Sequence, residues 1–244
     1  MAGQTHGSTI PVTQLTPADR DAMYELMCCY YLGVTRQDFE RDLSHKHDVI
    51  LLRTEDTIVG FSTLARLPLE VSGRQVHAIF SGDTIVDALH RGSLEMAHQI
   101  CGYFLRAIEA SPGQEFYWVL ISKGWRTYRV LRFLFRDFAP RYDAGDPQTF
   151  AEIAYAFGAR YYPEHYNPTT HLIEFVSESQ RIRPGSAEAI DHRRADADMR
   201  FFERANPNHE RGVELVCVAP VTYANLTPAA RQLAGKHHRA EPKS

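Results

Sequence analysis

The sequence predicts an α/β fold, and three observations carry that reading. Two capped helical stretches stand near the start, "TPADRDAMYELMCCYYLGV" and "TRQDFERDLSHKH". The block after them, "DVILLRTEDTIVGFSTLARLPLEVSGRQVHAIFSGDTIV", splits into three β-rich runs at "TED" and "EVSGRQ". From there the pattern alternates helix, strand, helix as far as Pro140.

Each element has its own signal. "TIPVTQLT" has strand character. Thr16 is placed to cap the first helix, with Pro17 at its first position, and Met23, Leu26, Met27 and Tyr30 recur at helical spacing. Thr35 caps the second helix, with Asp38 at the capping-box position. The three β-rich runs read as a hairpin and a third antiparallel strand. A long helix runs from about Ser93 to Glu109 and stops at "SPG". "EFYWVLI" is a short continuous apolar run, the pattern of a buried strand. "WRTYRVLRFLFRDF" is a helix that ends before Pro140. The order to that point is β-α-α-β-β-β-α-β-α. Beyond it come a helix from Pro147 to Arg160, a strand-like "THLIEFV", a polar surface excursion, a short helix at "ADMRFFERANPN" and a final strand at "GVELVCVAPVTY". With no linker between them, residues 1–228 read as one domain with an elaborated segment at 140–200. Residues 229–244 read as a flexible polar tail.

Bulk properties bound the function classes. Hydrophobic residues make up 44% of the 244, enough for a substantial core and against disorder. A net charge of −3 makes no demand for nucleic acid, though a local basic face remains open. The four cysteines, Cys28, Cys29, Cys101 and Cys217, form no CxxC pair, so neither a zinc site nor a disulfide framework is expected. Free thiols, no signal-like N-terminus and no apolar run near the about 18 residues of a membrane span together predict a cytoplasmic protein.

The chemistry concentrates in two stretches. Along "QVHAIFSGDTIV", alternation puts His77, Ile79, Ser81, Asp83 and Ile85 on one face of an unbulged strand, with His77 and Asp83 as candidate bases. Gly82 is the signal for the other outcome, a bulge at "SGD" in which Asp83 caps a turn. The following "DALHRGSLEMA" lies between strand and helix, where a phosphate-binding loop would sit, but it holds a single glycine.

This order of elements, with a loop containing Arg91, Gly92 and Ser93 between the fourth strand and third helix, resembles the GNAT acyltransferase superfamily. The resemblance covers roughly residues 10–140. It implies a mixed, mostly antiparallel sheet flanked by helices, here with a C-terminal elaboration. It implies direct transfer of an acyl group from a thioester, acyl-CoA or a phosphopantetheine-borne acyl group, to an amine of a small molecule, with no metal. Backbone N–H groups at Arg91, Gly92, Ser93 and Leu94 would bind the donor's phosphates. Ile85 and Val86 would run beside its arm, with Val86 as the backbone donor to the carbonyl. Lys123 and Trp125, just past the fifth strand, are placed to meet the donor. Leu94 and Met96 stand where the family pattern has small residues, and Glu95 adds a negative charge. The family's acidic tyrosine aligns with Phe133, which leaves Tyr128 as the substitute acid. The basic helix at 125–138 is a candidate docking face for an acyl-carrier protein or tRNA. Two alternatives stay open: an aminoacyl-tRNA-dependent amide-forming transferase, and a catalytically silent binding module of the same fold.

Overall fold

The computed structural model describes residues 4–145, 148–175, 181–183 and 197–240. The predicted cap signals act as read. Thr16 accepts from the Asp19 N–H and the Asp19 carboxylate reaches back to the Thr16 N–H, a reciprocal box that starts α1 (Pro17–Tyr30). Thr35 accepts from the Asp38 N–H and starts α2 (Arg36–Ser44). Around them lie β1 (Thr5–Pro11) and the two-residue β2 (Tyr31–Leu32). The β-rich block forms β3 (Asp48–Thr54), β4 (Thr57–Val71) and β5 (Arg74–Val86), a meander of antiparallel neighbours. Then follow α3 (Glu95–Ala110), β6 (Phe116–Ser122), α4 (Trp125–Leu134) and α5 (Gln148–Tyr161). The chain continues through short β7 (Tyr166–Asn167), β8 (Leu172–Ile173) and β9 (Arg181–Ile182) to α6 (Ala197–Ala205), β10 (Glu214–Pro220) and α7 (Pro228–Ala240).

One sheet of eight strands, ordered β1-β3-β4-β5-β6-β10-β8-β7, forms the centre. All its neighbours are antiparallel except β5 and β6, which run parallel. The fold class is therefore the α/β arrangement with a mixed, mostly antiparallel sheet that the sequence predicts. One face carries α3, α4, α6 and α7 over a core that includes Ile50, Ile79, Trp118, Leu120 and Cys217. The other face is divided. The first two helices cover Val49, Leu51, Phe61 and Ile85 at one end. The fifth helix covers Val76, Ala78, Phe80, Val119 and Val218 at the other.

Three expectations are corrected. The predicted tail from residue 229 is a helix: α7 buries Ala230 and Ala234 completely and Leu233 nearly so, against the α3 and α4 side of the core. Its apolar residues recur at positions 230, 233 and 234, a helical spacing hidden in a polar stretch. The strand expected over "THLIEFV" is only two residues long. The helix expected to reach Phe138 stops at Leu134, because Phe135 and Ala139 turn extended and bridge to Leu226 and Val218. Most of the polar excursion at 177–196 lies outside the described residues.

Candidate active site

Two features of β5 create the site. The first is a bulge. Ser62 pairs with Thr84 and Leu64 with Ser81, so Gly82 and Asp83 together face the single residue Thr63. A side chain at 82 would not fit: a Cβ there would stand 2.5 Å from Thr63 Oγ1 and 2.8 Å from Lys46 Cε. The extra residue reverses the alternation. Ahead of it, Ile79 packs toward α3, and Ser81 accepts from Trp118 Nε1 at 2.7 Å in that same core. Past it, Ile85 packs under α1 and α2 on the opposite face. The single face expected for His77, Ile79, Ser81, Asp83 and Ile85 is thus split in two. Asp83 is separated from His77 and turned toward Lys46, Asp42, Lys123 and Glu214.

The second feature is a gap. The parallel pairing of β5 with β6 ends at Ser81 and Leu120. Beyond that point both strands continue without pairing to each other. The Asp87 N–H donates to Val59 O at 2.8 Å, toward β4. Alternation turns Ile85 the same way and sends the N–H groups of Thr84 and Val86 toward the gap.

A polar seam fills the sheet face beside this gap, between the two apolar clusters. Lys123, at the end of β6, pairs with Glu214 at the start of β10 at 2.8 Å, and both side chains are largely buried. The Lys123 ammonium also lies over the Tyr31 ring, 5.9 Å from its centroid. Burial opposes the Lys123 charge most strongly, but Glu214, Tyr31 and Asp83 together hold the ammonium above its ordinary pKa. Lys46 pairs with both Asp42 oxygens at 2.6 Å and lies over Phe80. Burial, reinforced by the charge of Asp42, pushes the Asp83 carboxyl up to about 6, with Lys46 and Lys123 pulling the other way. Burial likewise raises Tyr31 to about 12 and Tyr162 further still, and both hydroxyls feel the charges of Asp83 and Glu214.

The donor-side residues are arranged differently from the expectation in several respects. The Arg91 Nε donates to Val86 O at 3.1 Å, and its guanidinium lies over Tyr30. Tyr30 in turn donates to Asp87 and accepts from the Ala88 N–H, so α1 braces the start of the loop. Gly92 and Ser93 form the turn into α3, and Ser93 Oγ accepts from the Glu95 N–H. Leu94 does not point into the core: it is 57% exposed, and Leu89 in the same loop is 84% exposed. Glu95 turns away from the loop to accept from the Gly7 N–H and from Gln99. The first-turn N–H groups of α3 thus face no carboxylate from Glu95, and as in any helix they lack intrahelical carbonyls.

Other expected site residues lie elsewhere. His77 sits at the far end of β5, roughly 20 Å along the strand from Asp83, against Phe116. Tyr128 is fully buried among Phe138, Phe201 and Phe202, and its hydroxyl donates to Pro140 O at 2.9 Å. Its place in that aromatic core removes it as the substitute acid. Lys123 is engaged with Glu214 in the seam. Trp125 opens α4 under the guanidinium groups of Arg126 and Arg129. Arg132, on the basic helix expected as a docking face, is held by Asp198 and Asp143. Among the described residues no group of His, Cys, Asp and Glu side chains is arranged to hold a metal.

Sequence reading missed Tyr31, Lys46, Tyr162 and Glu214. They share only a position at or just outside the end of an element. That signal is weak without knowing which element ends meet.

No protein-family model matches this sequence, and no curated protein sequence matches it. Solved structures do. A GCN5-related N-acetyltransferase from Kribbella flavida is 17% identical, with a TM-score of 0.42 over 56% of this chain and 34% of that one. A ribosomal-protein-alanine N-acetyltransferase from Brucella melitensis is 17% identical, with a TM-score of 0.42 over 59% of this chain and 96% of that one. A GNAT-family N-acetyltransferase from Escherichia coli, solved in complex with CoA, is 12% identical, with a TM-score of 0.38 over 55% of this chain and 71% of that one. The chain spans about a third of the length of the Kribbella protein and of a probable N-acyltransferase from Enterococcus faecalis. Overlap at this level leaves the fold to be judged by its own strand order, its one parallel pair and the gap that follows it. The fold is an α/β arrangement with a mixed, mostly antiparallel sheet, the class that the resemblance in the sequence implies.

Proposed function

We propose that this protein is an N-acyltransferase that moves an acyl group from a thioester donor to an amine at the gap between β5 and β6. The observation that carries the reading is the bulge at Gly82 and Asp83. It turns a carboxyl with a pKa near 6 into the polar seam beside backbone N–H groups left unpaired by β6. A carboxylate of that pKa is a suitable base near neutrality.

The proposed step is direct. The amine nitrogen attacks the thioester carbonyl carbon, Asp83 takes the amine's proton, and the carbon–sulfur bond breaks. The thiolate leaves with the electron pair and is protonated from solvent or from Asp83. The N–H groups of Val86 and Thr84 face the place where the carbonyl oxygen gains charge. The donor's pyrophosphate would lie at the first turn of α3, between Arg91 and Leu94, where N–H donors and the helix dipole favour an anion. The outward turn of Leu94 and the inward turn of Glu95 are compatible with that use. Arg91 and Lys123 both influence Tyr31, which links the donor loop to the seam.

The test is amine-dependent release of CoA from acetyl-CoA, followed by thiol titration. Release that falls at least about a hundredfold in Asp83→Asn supports the reading. No amine-dependent release, with no thermal stabilisation by millimolar CoA, would count against it.

A further inference from the structure

Glu214 is 6% exposed, and only one of its carboxylate oxygens is satisfied. Lys123 binds Oε1, while Oε2 has no hydrogen-bond partner among the described residues. A buried carboxylate oxygen without a donor is costly, and it marks a position that a ligand's donor would complete. The charges around it point to the kind of donor. Lys123 pairs with Glu214 and Lys46 pairs with Asp42. Asp83 is the seam's third carboxylate and, among the described residues, has no ion pair at contact distance. Above its pKa, these five groups carry one net negative charge.

Resting on the acyl-transfer reading above, we infer that the acceptor is a small amine carrying a second cationic group, and that Glu214 Oε2 binds that second group. One nitrogen faces Asp83 as nucleophile, and the other ammonium donates to Glu214. A charge-assisted hydrogen bond to a buried carboxylate is roughly twice as strong as a neutral one. A neutral tail would leave Oε2 unmet, and an anionic tail would be repelled. Lys123 acts as a positioning residue: by holding Oε1 it aims Oε2.

The experiment compares three acceptors of equal length at saturating acetyl-CoA: 1,4-diaminobutane, butylamine and 4-aminobutanoate. Wild type should use the diamine at least tenfold better in kcat/KM than butylamine, and the amino acid least well. In Glu214→Gln the diamine advantage should collapse toward one, through KM rather than kcat. A wild-type preference for butylamine or 4-aminobutanoate would overturn the inference whether or not the variant folds. An undiminished diamine advantage in a folded Glu214→Gln would do the same. Calorimetry without any donor separates this inference from the reading it rests on. Binding of 1,4-diaminobutane to wild type, weakened at least tenfold in Glu214→Gln, supports the Glu214 contact even if acetyl-CoA is never consumed. Equal binding to both proteins overturns it.

Discussion

Asp83 is the base in the proposed reaction, and its burial has a cost that can be measured. Its carboxyl is raised from 3.8 to about 6 by burial first and by Asp42 second. A raised folded pKa means the native state holds this proton more tightly than the unfolded chain. Its contribution to stability is therefore present below about pH 4 and is lost as pH rises toward 6. Asp83→Asn, which cannot ionise, should melt higher than wild type at pH 7.5, with the difference shrinking toward pH 4. Tyr128 makes the opposite case. Tyr128→Phe removes a buried hydrogen bond to Pro140 O and should lower stability by about 1 kcal/mol. It should leave turnover within a small factor, whereas loss of a true general acid costs about a hundredfold or more. Parallel denaturation and turnover measurements separate these outcomes. The sequence marked Asp83 as a candidate by its chemistry, but it put Tyr128 and His77 beside it. Strand and helix position can be read from spacing. Whether a tyrosine points into a cleft or among Phe138, Phe201 and Phe202 depends on which elements meet, and spacing does not record that.

At the scale of the element, the bulge in β5 governs which face the Asp83 carboxyl joins. Strict alternation would leave Asp83 on the side of Ile79 and Ser81, under α3 and away from the seam. Gly82 makes the bulge possible by offering no Cβ to Thr63 and Lys46. Gly82→Ala places a methyl group 2.5 Å from Thr63 Oγ1, so the strand or the Lys46 side chain must move. The expected cost is about 1 to 3 kcal/mol, from overpacking, with a fall in activity because Asp83 moves with the backbone. Urea denaturation and the CoA-release assay read the two effects. Helix starts at Thr16 and Thr35, the three-strand meander and the buried strand at Phe116–Ser122 were all legible, since caps, turns and periodicity are local signals. The bulge was legible only as a glycine in a strand, a hint with several meanings.

At the scale of the whole molecule, the two faces of the sheet have different roles. The α3 and α4 face is a continuous core closed by α7, while the opposite face leaves a polar seam between two apolar clusters. The last helix was missed because its sequence is mostly polar and, among its described side chains, only Ala230, Leu233 and Ala234 are buried. Leu233→Ala should therefore lower stability by about 2 to 4 kcal/mol, the range for a buried leucine, a loss that a free tail would not show in a melting curve. The proposed acyl transfer requires Asp83 to work as the base at the β5–β6 gap. The most direct measurement is the pH dependence of kcat/KM for acetyl-CoA-dependent acylation of 1,4-diaminobutane, in wild type and in Asp83→Asn. The account predicts that wild-type kcat/KM rises with pH through an inflection near 6, where the carboxyl ionises, and that this inflection is absent in a variant at least about a hundredfold slower. An Asp83→Asn enzyme with wild-type rates and the same inflection would contradict it.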